Sequence, residues 1–316
     1  MAEAHNHDKY TALIYACNAL APVRTAVAHP CDEASLAGAV DAAAARLIKP
    51  VLVGPEARIR KLAASLDINL AGLKIVDQPH SHAGAAKAVE LVRSGEVDAL
   101  MKGSLHTDEL MAEVVRKDTG IGTGRRISHV FVMDVPTYGK PLFVTDAAVN
   151  IFPTLEDKVD IVQNAIDLAR VLWIKAPKVA VLSAVETITS KIPSTIEAAA
   201  LCKMAERGQI TGGVLDGPLA FDNAISREAA AAKNIVSPVA GDADILLVPD
   251  LEAGNILAKE LTFLTGADAA GIVLGARVPI ILTSRADSIR TRMASCAVAA
   301  LLAHARRVAA VATVTG

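Results

Sequence analysis

The sequence predicts an α/β fold of two three-layer domains, each built on a mainly parallel sheet with helices on its faces. Short apolar runs rich in Val, Ile and Leu alternate with longer alanine-rich segments whose apolar residues recur at helical spacing. Such strand–helix–strand units form parallel sheets with right-handed crossovers. At 316 residues the chain is also longer than one hydrophobic core usually supports, which favours two domains.

The first half of the chain opens with an apolar helical segment over 11–23 and continues as strands alternating with helices. Thr107 predicts a helix start, because a threonine cap followed by Asp108 and Glu109 suits a helix N-terminus. The strands predicted in this half are 25–30, 50–55, 73–77, 97–103, 130–135 and 142–145, and the helices are 32–45, 82–94 and 107–116.

A change of domain is expected near Asn150 and Pro153, where the strand–helix alternation restarts after a proline. The strands predicted beyond this point are 179–183, 214–217, 243–250 and 279–283, and the helices are 155–172, 194–207, 256–264 and 289–311.

Composition excludes several classes of protein. A net charge of −2 and an aromatic content of 3% argue against a nucleic-acid partner. The four cysteines are scattered without a Cys-x-x-Cys pair, so we expect free thiols rather than disulfides or structural zinc. The start of the sequence lacks the features of a signal peptide, and the most apolar tail, 294–303, is short for a membrane span. We therefore expect a soluble, cytoplasmic protein.

One stretch concentrates complementary chemistry at a strand end. Ser284 and Arg285 follow the predicted strand 279–283 and directly precede the predicted helix 289–311. Backbone N–H groups and the helix dipole favour an anion at such a junction, and the arginine adds a fork suited to phosphate oxygens. Asp287 is compatible with two roles, a base or a helix cap.

Ligands of open parallel sheets bind beyond the carboxyl ends of the strands, and the cleft between two such rims is the expected site in a two-domain protein. Further polar residues are predicted on these rims: Lys102, Gly103, Ser104, His106, Asp146, Asp216 and Asp250. The glycine-rich segment 120–124 lacks the spacing and the preceding strand of a dinucleotide loop. Followed by Arg125 and Arg126, it is either a flexible basic loop that meets a phosphate or a plain solvated loop.

Six segments, in consistent order over about 20–300, resemble the phosphate acetyltransferase and phosphate butyryltransferase family. They are MKGSLHT (101–107), FVTD (143–146), DGPLAFDNAIS (216–226), SPVAGD (237–242), VPDLEAGN (248–255) and SRADS (284–288). Lys102-Gly103 and the last segment look more similar to the butyryltransferase branch, and the acyl chain, acetyl or butyryl, stays open.

The resemblance implies an enzyme that exchanges an acyl group reversibly between coenzyme A and inorganic phosphate by direct attack in a ternary complex. It implies two α/β domains related to the isocitrate and isopropylmalate dehydrogenases, an active site in the interdomain cleft and a homodimer. The chain would re-enter the first domain at its end, giving domains 1–149 plus 279–316 and 150–278. Coenzyme A is then a substrate, and no metal or redox cofactor is expected.

Residue roles follow from the chemistry together with the resemblance. Ser284 would donate to the oxyanion, Arg285 would hold the acyl phosphate, and Asp287 would take the proton of the thiol. The residues expected to bind substrate are Lys102, Gly103, Ser104, His106, Arg125, Arg126, Asp216, Gly254 and Asn255.

Two other functions fit the same architecture. One is an NAD-dependent, metal-assisted dehydrogenase, which would need carboxylates gathered around a divalent ion. The other is a non-catalytic acyl-CoA-binding protein, which would bind coenzyme A tightly without turning over acyl-CoA.

Overall fold

The structure, a computed structural model, describes residues 8–283 and 287–315. It contains two compact units, which we call the terminal unit (10–125 and 270–315) and the central unit (126–269, with 8–9). The chain therefore leaves the terminal unit once and returns to it before its end.

Within the described residues, the strands are β1 Val23–Ala28, β2 Ile48–Gly54, β3 Lys74–Asp77, β4 Ala99–Lys102, β5 Ser128–Asp134, β6 Leu142–Thr145, β7 Lys178–Leu182, β8 Val214–Leu219, β9 Ile245–Leu247, β10 Asp268–Leu274 and β11 Ile280–Ile281. The helices are α1 Asp8–Ala16, α2 Glu33–Ala44, α3 Glu56–Ser65, α4 Ser81–Arg93, α5 Thr107–Val114, α6 Leu155–Val171, α7 Pro193–Glu206, α8 Phe221–Ile225, α9 Arg227–Ala232, α10 Leu251–Thr265 and α11 Ile289–Thr315.

Within the terminal unit the strands lie in the order β3-β2-β1-β4-β11-β10, and β10 begins two residues before the unit resumes at Ala270. The first five of these strands run parallel, and β10 runs antiparallel to β11. Ile280 and Ile281 of β11 pair with Leu100 and Met101 of β4 and are fully buried, as the short β-branched run predicts.

The sheet of the central unit has the order β5-β6-β9-β7-β8. Strands β6, β9, β7 and β8 are parallel, while β5 is antiparallel to β6. Apolar side chains of strands and helices form one core on this sheet: Met133, Val135, Leu142, Val144, Ala147, Ala180, Leu182, Leu219, Ala224, Val239, Ala243, Leu246, Val248, Ala258 and Ala267. The prediction of mainly parallel α/β sheets is confirmed.

The limits of the units differ from the expected ones. We expected boundaries at 149/150 and 278/279, whereas the units divide at 125/126 and 269/270. The reason is strand pairing, because β6 pairs in parallel with β9 and β5 pairs with β6. Both strands precede the proline that suggested the boundary, yet both belong to the central sheet. The predicted site between domains stays a prediction.

Helix α11, Ile289–Thr315, extends beyond both ends of the apolar tail 294–303 that was considered as a membrane span. By length and composition alone, Ile289–Ala310 could cross a membrane, with a mean hydropathy of 1.2. In the structure, 56% of that stretch is buried. The helix packs against α2, β1 and β11 of the terminal unit, which is what a core helix of an α/β domain does.

Candidate active site

Three parallel strands of the terminal unit, β1, β4 and β11, are adjacent and end at the same edge of the sheet. The segments that follow them are 29–32, 102–106 and 282–288. We call the described part of these segments the strand-end edge; it comprises 29–32, 102–106, 282–283 and 287–288. Three helices, α2, α5 and α11, begin directly after it.

Ser104 ties two of these segments together. Its backbone N–H donates to the carbonyl of His29 at 2.9 Å, and its Oγ donates to the same carbonyl at 2.8 Å. The N–H of Cys31 in turn donates to Ser104 Oγ at 3.2 Å. The hydroxyl therefore orders the loop after β1, and its predicted role in substrate binding stays a prediction.

Gly103 lies where the backbone after β4 comes close to the backbone at the end of β1. Its N–H donates to the carbonyl of Ala28 at 2.9 Å. A Cβ at this position would lie 2.3 Å from the Ala28 oxygen and 2.6 Å from the His29 oxygen, which no side chain tolerates. Only glycine lets the two backbones meet here.

Lys102 and His106 lie on the edge as expected. Lys102 Nζ donates to the carbonyls of Gly103 and Leu105, each at 3.2 Å, and so holds its own loop in a tight turn. His106 is the exposed N-cap residue of α5, and its side chain makes no capping hydrogen bond. Its role in substrate binding stays a prediction.

His29 is a residue of this edge that the sequence reasoning missed. Its side chain is 8% exposed, its φ is 55°, and its Nδ1 has no hydrogen-bond partner among the described residues. Burial, with the nearby charge of Arg58 as a smaller cause, lowers its pKa. The sequence placed His29 inside the predicted strand 25–30, whereas β1 ends at Ala28, so no signal in the sequence indicated its position at the edge.

The loop after β11 carries the three predicted catalytic residues. Ser284 and Arg285 lie outside the described residues, so their roles stay predictions. Ser288 Oγ accepts the N–H of Thr291 at 3.1 Å and caps α11. The carbonyl of Asp287 accepts a hydrogen bond from Arg292 Nη2 at 2.6 Å. The cap is thus Ser288, and the role of Asp287 as a base stays a prediction.

Arg126 is engaged by partners inside the central unit, and its predicted role in phosphate binding stays a prediction. Its Nε donates to Asn150 Oδ1 at 2.7 Å, its Nη1 lies 3.4 Å from Asp157 Oδ1, and its backbone N–H donates to Asp160 Oδ2 at 2.7 Å. These contacts join the start of β5 to α6 inside the central unit. Its neighbour Arg125 is exposed, as a loop residue should be.

Asp146, at the end of β6, organises the loop that follows. Its carboxylate accepts the backbone N–H groups of Ala148, Val149 and Asn150 at 2.9 to 3.2 Å and Asn150 Nδ2 at 2.6 Å. The neighbouring His129 is fully buried, and burial lowers its pKa to about 4 against an opposing attraction from Asp146.

Asp216 lies inside β8 rather than at a strand end, because the strand continues to Leu219. It pairs with Ala180 of β7, and its Oδ1 accepts the N–H of Gly217 at 2.9 Å. The predicted strand end at Gly217 was wrong, since the Gly-Pro step did not break the strand.

Gly254 and Asn255 lie within the early turns of α10 and do not open it. The helix starts at Leu251 because the Asp250 side chain accepts the N–H of Ala253 at 2.9 Å. A Cβ on Gly254 would lie 2.9 Å from the Asp146 carbonyl oxygen, and Asn255 Nδ2 donates to the Ala147 carbonyl at 3.1 Å. Both residues thus fasten α10 onto the loop after β6.

A metal-assisted dehydrogenase would need a group of carboxylates. Over 8–283 and 287–315, no group of three or more His, Cys, Asp or Glu side chains is arranged to hold a metal ion.

Comparison with known proteins gives consistent results. The family model described as "Phosphate acetyl/butaryl transferase" matches residues 82–300. A phosphate acetyltransferase from Rhizobium meliloti is 70% identical over 97% of both chains. A phosphate butyryltransferase from Clostridium acetobutylicum is 44% identical over 89% of this chain and 93% of its own. The expected leaning towards the butyryltransferase branch is thus corrected, because higher identity goes with an acetyltransferase.

Comparison with solved structures supports the same family and the same fold. A branched-chain phosphotransacylase from Enterococcus faecalis V583 aligns with a TM-score of 0.77 and 31% identity, covering 89% of this chain and 99% of its own. A protein from Salmonella typhimurium described as a putative 4-hydroxythreonine-4-phosphate dehydrogenase aligns with a TM-score of 0.57 at 14% identity over 89% and 99%, a likeness of fold alone. The predicted dehydrogenase-like architecture is confirmed, and the dehydrogenase function is not favoured. The chain belongs to the phosphate acetyltransferase and butyryltransferase family.

Proposed function

We propose that this family member transfers an acetyl group, converting acetyl-CoA and inorganic phosphate into acetyl phosphate and coenzyme A, and the reverse. The observation that carries the proposal is the pairing of β4 with β11. This pairing brings 102–106 and 282–283 to one edge of the terminal unit's strands, next to the N-terminus of α5, and supports the proposal that the SRADS segment acts there. Helix N-termini and arginine suit the phosphate of an acyl phosphate.

The roles of the loop residues follow from the reaction. A thiol with a pKa of about 8.5 is only slightly ionised at neutral pH, so a base raises the rate of its attack on acetyl phosphate. Asp287 is proposed as that base, Ser284 as a donor to the oxyanion, and Arg285 as the ligand of the phosphate. Lys102 and His106 border the same edge and are proposed to bind substrate.

The choice of acetyl as the acyl group is inferred from the sequence identity of this chain to named relatives. The relative at 70% identity carries an acetyltransferase name, and the one at 44% carries a butyryltransferase name.

We extend the proposal to a cytoplasmic homodimer without metal or redox cofactor. Free thiols at all four cysteines suit a reducing compartment. Exposed Ile256, Phe263 and Leu264 on α10 supply an apolar surface that a second copy could cover.

Thiol release from acetyl-, propionyl- and butyryl-CoA with phosphate tests the acyl group. We expect kcat/KM for acetyl-CoA to exceed that for butyryl-CoA at least tenfold, because each methylene in a closed acyl pocket is worth roughly 10–200-fold. Equal or faster release from butyryl-CoA would return the chain to the butyryltransferase group. Binding of coenzyme A without any thiol release would instead indicate a non-catalytic protein.

In the same assay, Arg285→Ala tests the site. We expect at least a tenfold loss of turnover from this change, partial recovery in Arg285→Lys, and unchanged circular dichroism. Lys61→Ala, an exposed cation of α3, serves as the control. Wild-type turnover in Arg285→Ala would show that phosphate binds elsewhere.

A further inference from the structure

A basic cavity lies in the terminal unit, away from the strand-end edge. It has a volume of about 660 Å³, within the range of small-molecule sites. It is lined by the ends of α4 and α5, by the 115–122 segment and by Arg277. Helix α5 starts at the strand-end edge and finishes at the cavity, so its eight residues, about 12 Å long, separate the two places.

The walls of this cavity are fixed by backbone contacts. Ile121 is fully buried, and its N–H donates to the Val114 carbonyl at 2.9 Å, while its own carbonyl accepts the N–H of Arg277 at 2.9 Å. Gly120 lies so close to the end of α5 that a Cβ would be 2.3 Å from the Arg116 oxygen. Arg306 Nη1 donates to the carbonyl of Arg277 at 3.2 Å. These contacts therefore hold the backbone of 114–121 and of Arg277 in place.

The charges in the cavity do not cancel. Four cations line it, and its two acids are already engaged: Asp118 lies 3.7 Å from Arg116, and Glu90 accepts a hydrogen bond from Lys87. The other three cations, Arg93, Lys117 and Arg277, have no acidic partner in the described part of the chain. Arg93 ends α4 and also offsets its dipole, but Lys117 and Arg277 lie outside helices, where no dipole accounts for them.

We propose that this cavity binds a ligand with two or more linked phosphate groups. Three unpaired cations around a space larger than a single phosphate needs match a phosphate chain, and two of them are arginines that can hold phosphate oxygens bidentately. The chemistry is shared by free polyphosphate, by a nucleoside triphosphate and by the diphosphate of coenzyme A. The first two are not substrates of acyl transfer, and a loss of acyl transfer confined to the variant that lacks the three cations would assign the cavity to coenzyme A and overturn the proposal.

Isothermal titration of the full chain with tripolyphosphate and with ATP, at low salt, tests the proposal. The test variant combines Arg93→Gln, Lys117→Gln and Arg277→Gln, all at exposed positions. The matched control removes three other exposed cations and changes the net charge equally: Lys49→Gln, Lys61→Gln and Arg207→Gln.

We expect the control to bind like wild type and the test variant to bind at least tenfold more weakly. Acyl transfer without added polyanion should be equal in all three proteins, because none of the altered residues lies on the strand-end edge. Tighter binding of ATP would identify a nucleotide ligand, and equal or tighter binding of tripolyphosphate a phosphate chain alone. The proposal is overturned if wild type binds neither probe, or if the test variant binds as wild type does.

Discussion

At the scale of single residues, Gly103 is the point where the backbones of two strand ends meet. The contact joins β4 to the loop after β1 and so sets the course of 102–106. A side chain here would have to displace main-chain atoms on a fully formed sheet, which costs more than displacing another side chain.

We predict that Gly103→Ala lowers the free energy of unfolding by at least about 1–3 kcal/mol, the usual cost of overpacking. The strain would fall on the candidate active site, so acyl transfer should drop as well. Chemical denaturation measures the first effect and thiol release the second. Gly139→Ala is the control, because a Cβ there would meet no atom within 4 Å. Equal stability of the two variants would contradict the close approach.

A second residue-scale property is the buried imidazole of His129. Its pKa is lowered from 6.5 to about 4, chiefly by burial. In the unfolded chain this group takes up a proton near pH 6.5, whereas in the folded chain it does so only near pH 4. The unfolded state therefore binds more protons in that window, and the stability of the folded state falls as the pH falls.

We predict that wild type loses more stability than His129→Phe between about pH 7 and pH 4, by an amount on the order of 3 kcal/mol. Phenylalanine keeps the ring contact with Phe131, whose centroid lies 4.3 Å from that of His129. Urea denaturation at a series of pH values, followed by fluorescence of the single tryptophan, Trp173, gives the comparison. Parallel curves for wild type and His129→Phe would disprove the effect.

The position of a candidate site residue could be predicted where the neighbouring sequence reveals a strand end or a helix start. Lys102, Gly103 and Ser104 were placed correctly because a strand end and a following helix are both visible in the sequence. The engagement of Arg126 was not predictable, since its partners Asn150, Asp157 and Asp160 are distant in sequence. A basic residue beside a glycine-rich loop looks the same whether its partner is a ligand or a carboxylate.

At the scale of elements, helices with a cap and an apolar stripe were predicted well. The α6 prediction, 155–172, differs from the structure by one residue, and the β6 prediction coincides with it. Helix α3 and strand β10 were missed. The first is polar on most of its surface, and the second is an antiparallel strand with a glycine in the middle, which carries little periodicity.

Helix α6 offers a test of its own. Thr154 Oγ1 accepts the N–H of Asp157 at 3.2 Å, and the Asp157 carboxylate accepts the N–H of Thr154 at 3.1 Å. We predict that Thr154→Ala lowers the free energy of unfolding by about 1 kcal/mol and that Thr154→Ser lowers it by much less. Urea titration followed by Trp173 fluorescence measures both, since Trp173 lies just beyond the same helix. Equal losses would show that the hydroxyl does not act as the cap.

At the scale of the whole molecule, the sequence predicted a fold of two parallel α/β units but misplaced their limits. The proline near 153 was a strong local signal, yet the pairing of β6 with β9 overrides it. Strand partners far apart in the chain leave no local mark, so a boundary between two similar sheets is difficult to locate from one sequence.

The two units should differ in their ability to fold alone. The fragment 126–269 contains the five hydrogen-bonded strands β5-β6-β9-β7-β8 and its own core, so we predict a cooperative thermal transition by circular dichroism. The fragment 10–125 lacks β11 beside β4 and lacks α11 on its sheet, so we predict no such transition. A cooperative transition in 10–125, or none in 126–269, would contradict this division.

The position of β11 between β4 and β10 has a consequence during biosynthesis. A chain emerging from the ribosome presents β4 long before β11, because 99–102 is translated well before 280–281, whereas β10 at 268–274 comes only shortly before β11. Until then β4 keeps an open flank of unpaired N–H and carbonyl groups, a surface that invites pairing with other nascent chains. The central unit can finish folding first, and the segment carrying the proposed catalytic loop closes that flank last.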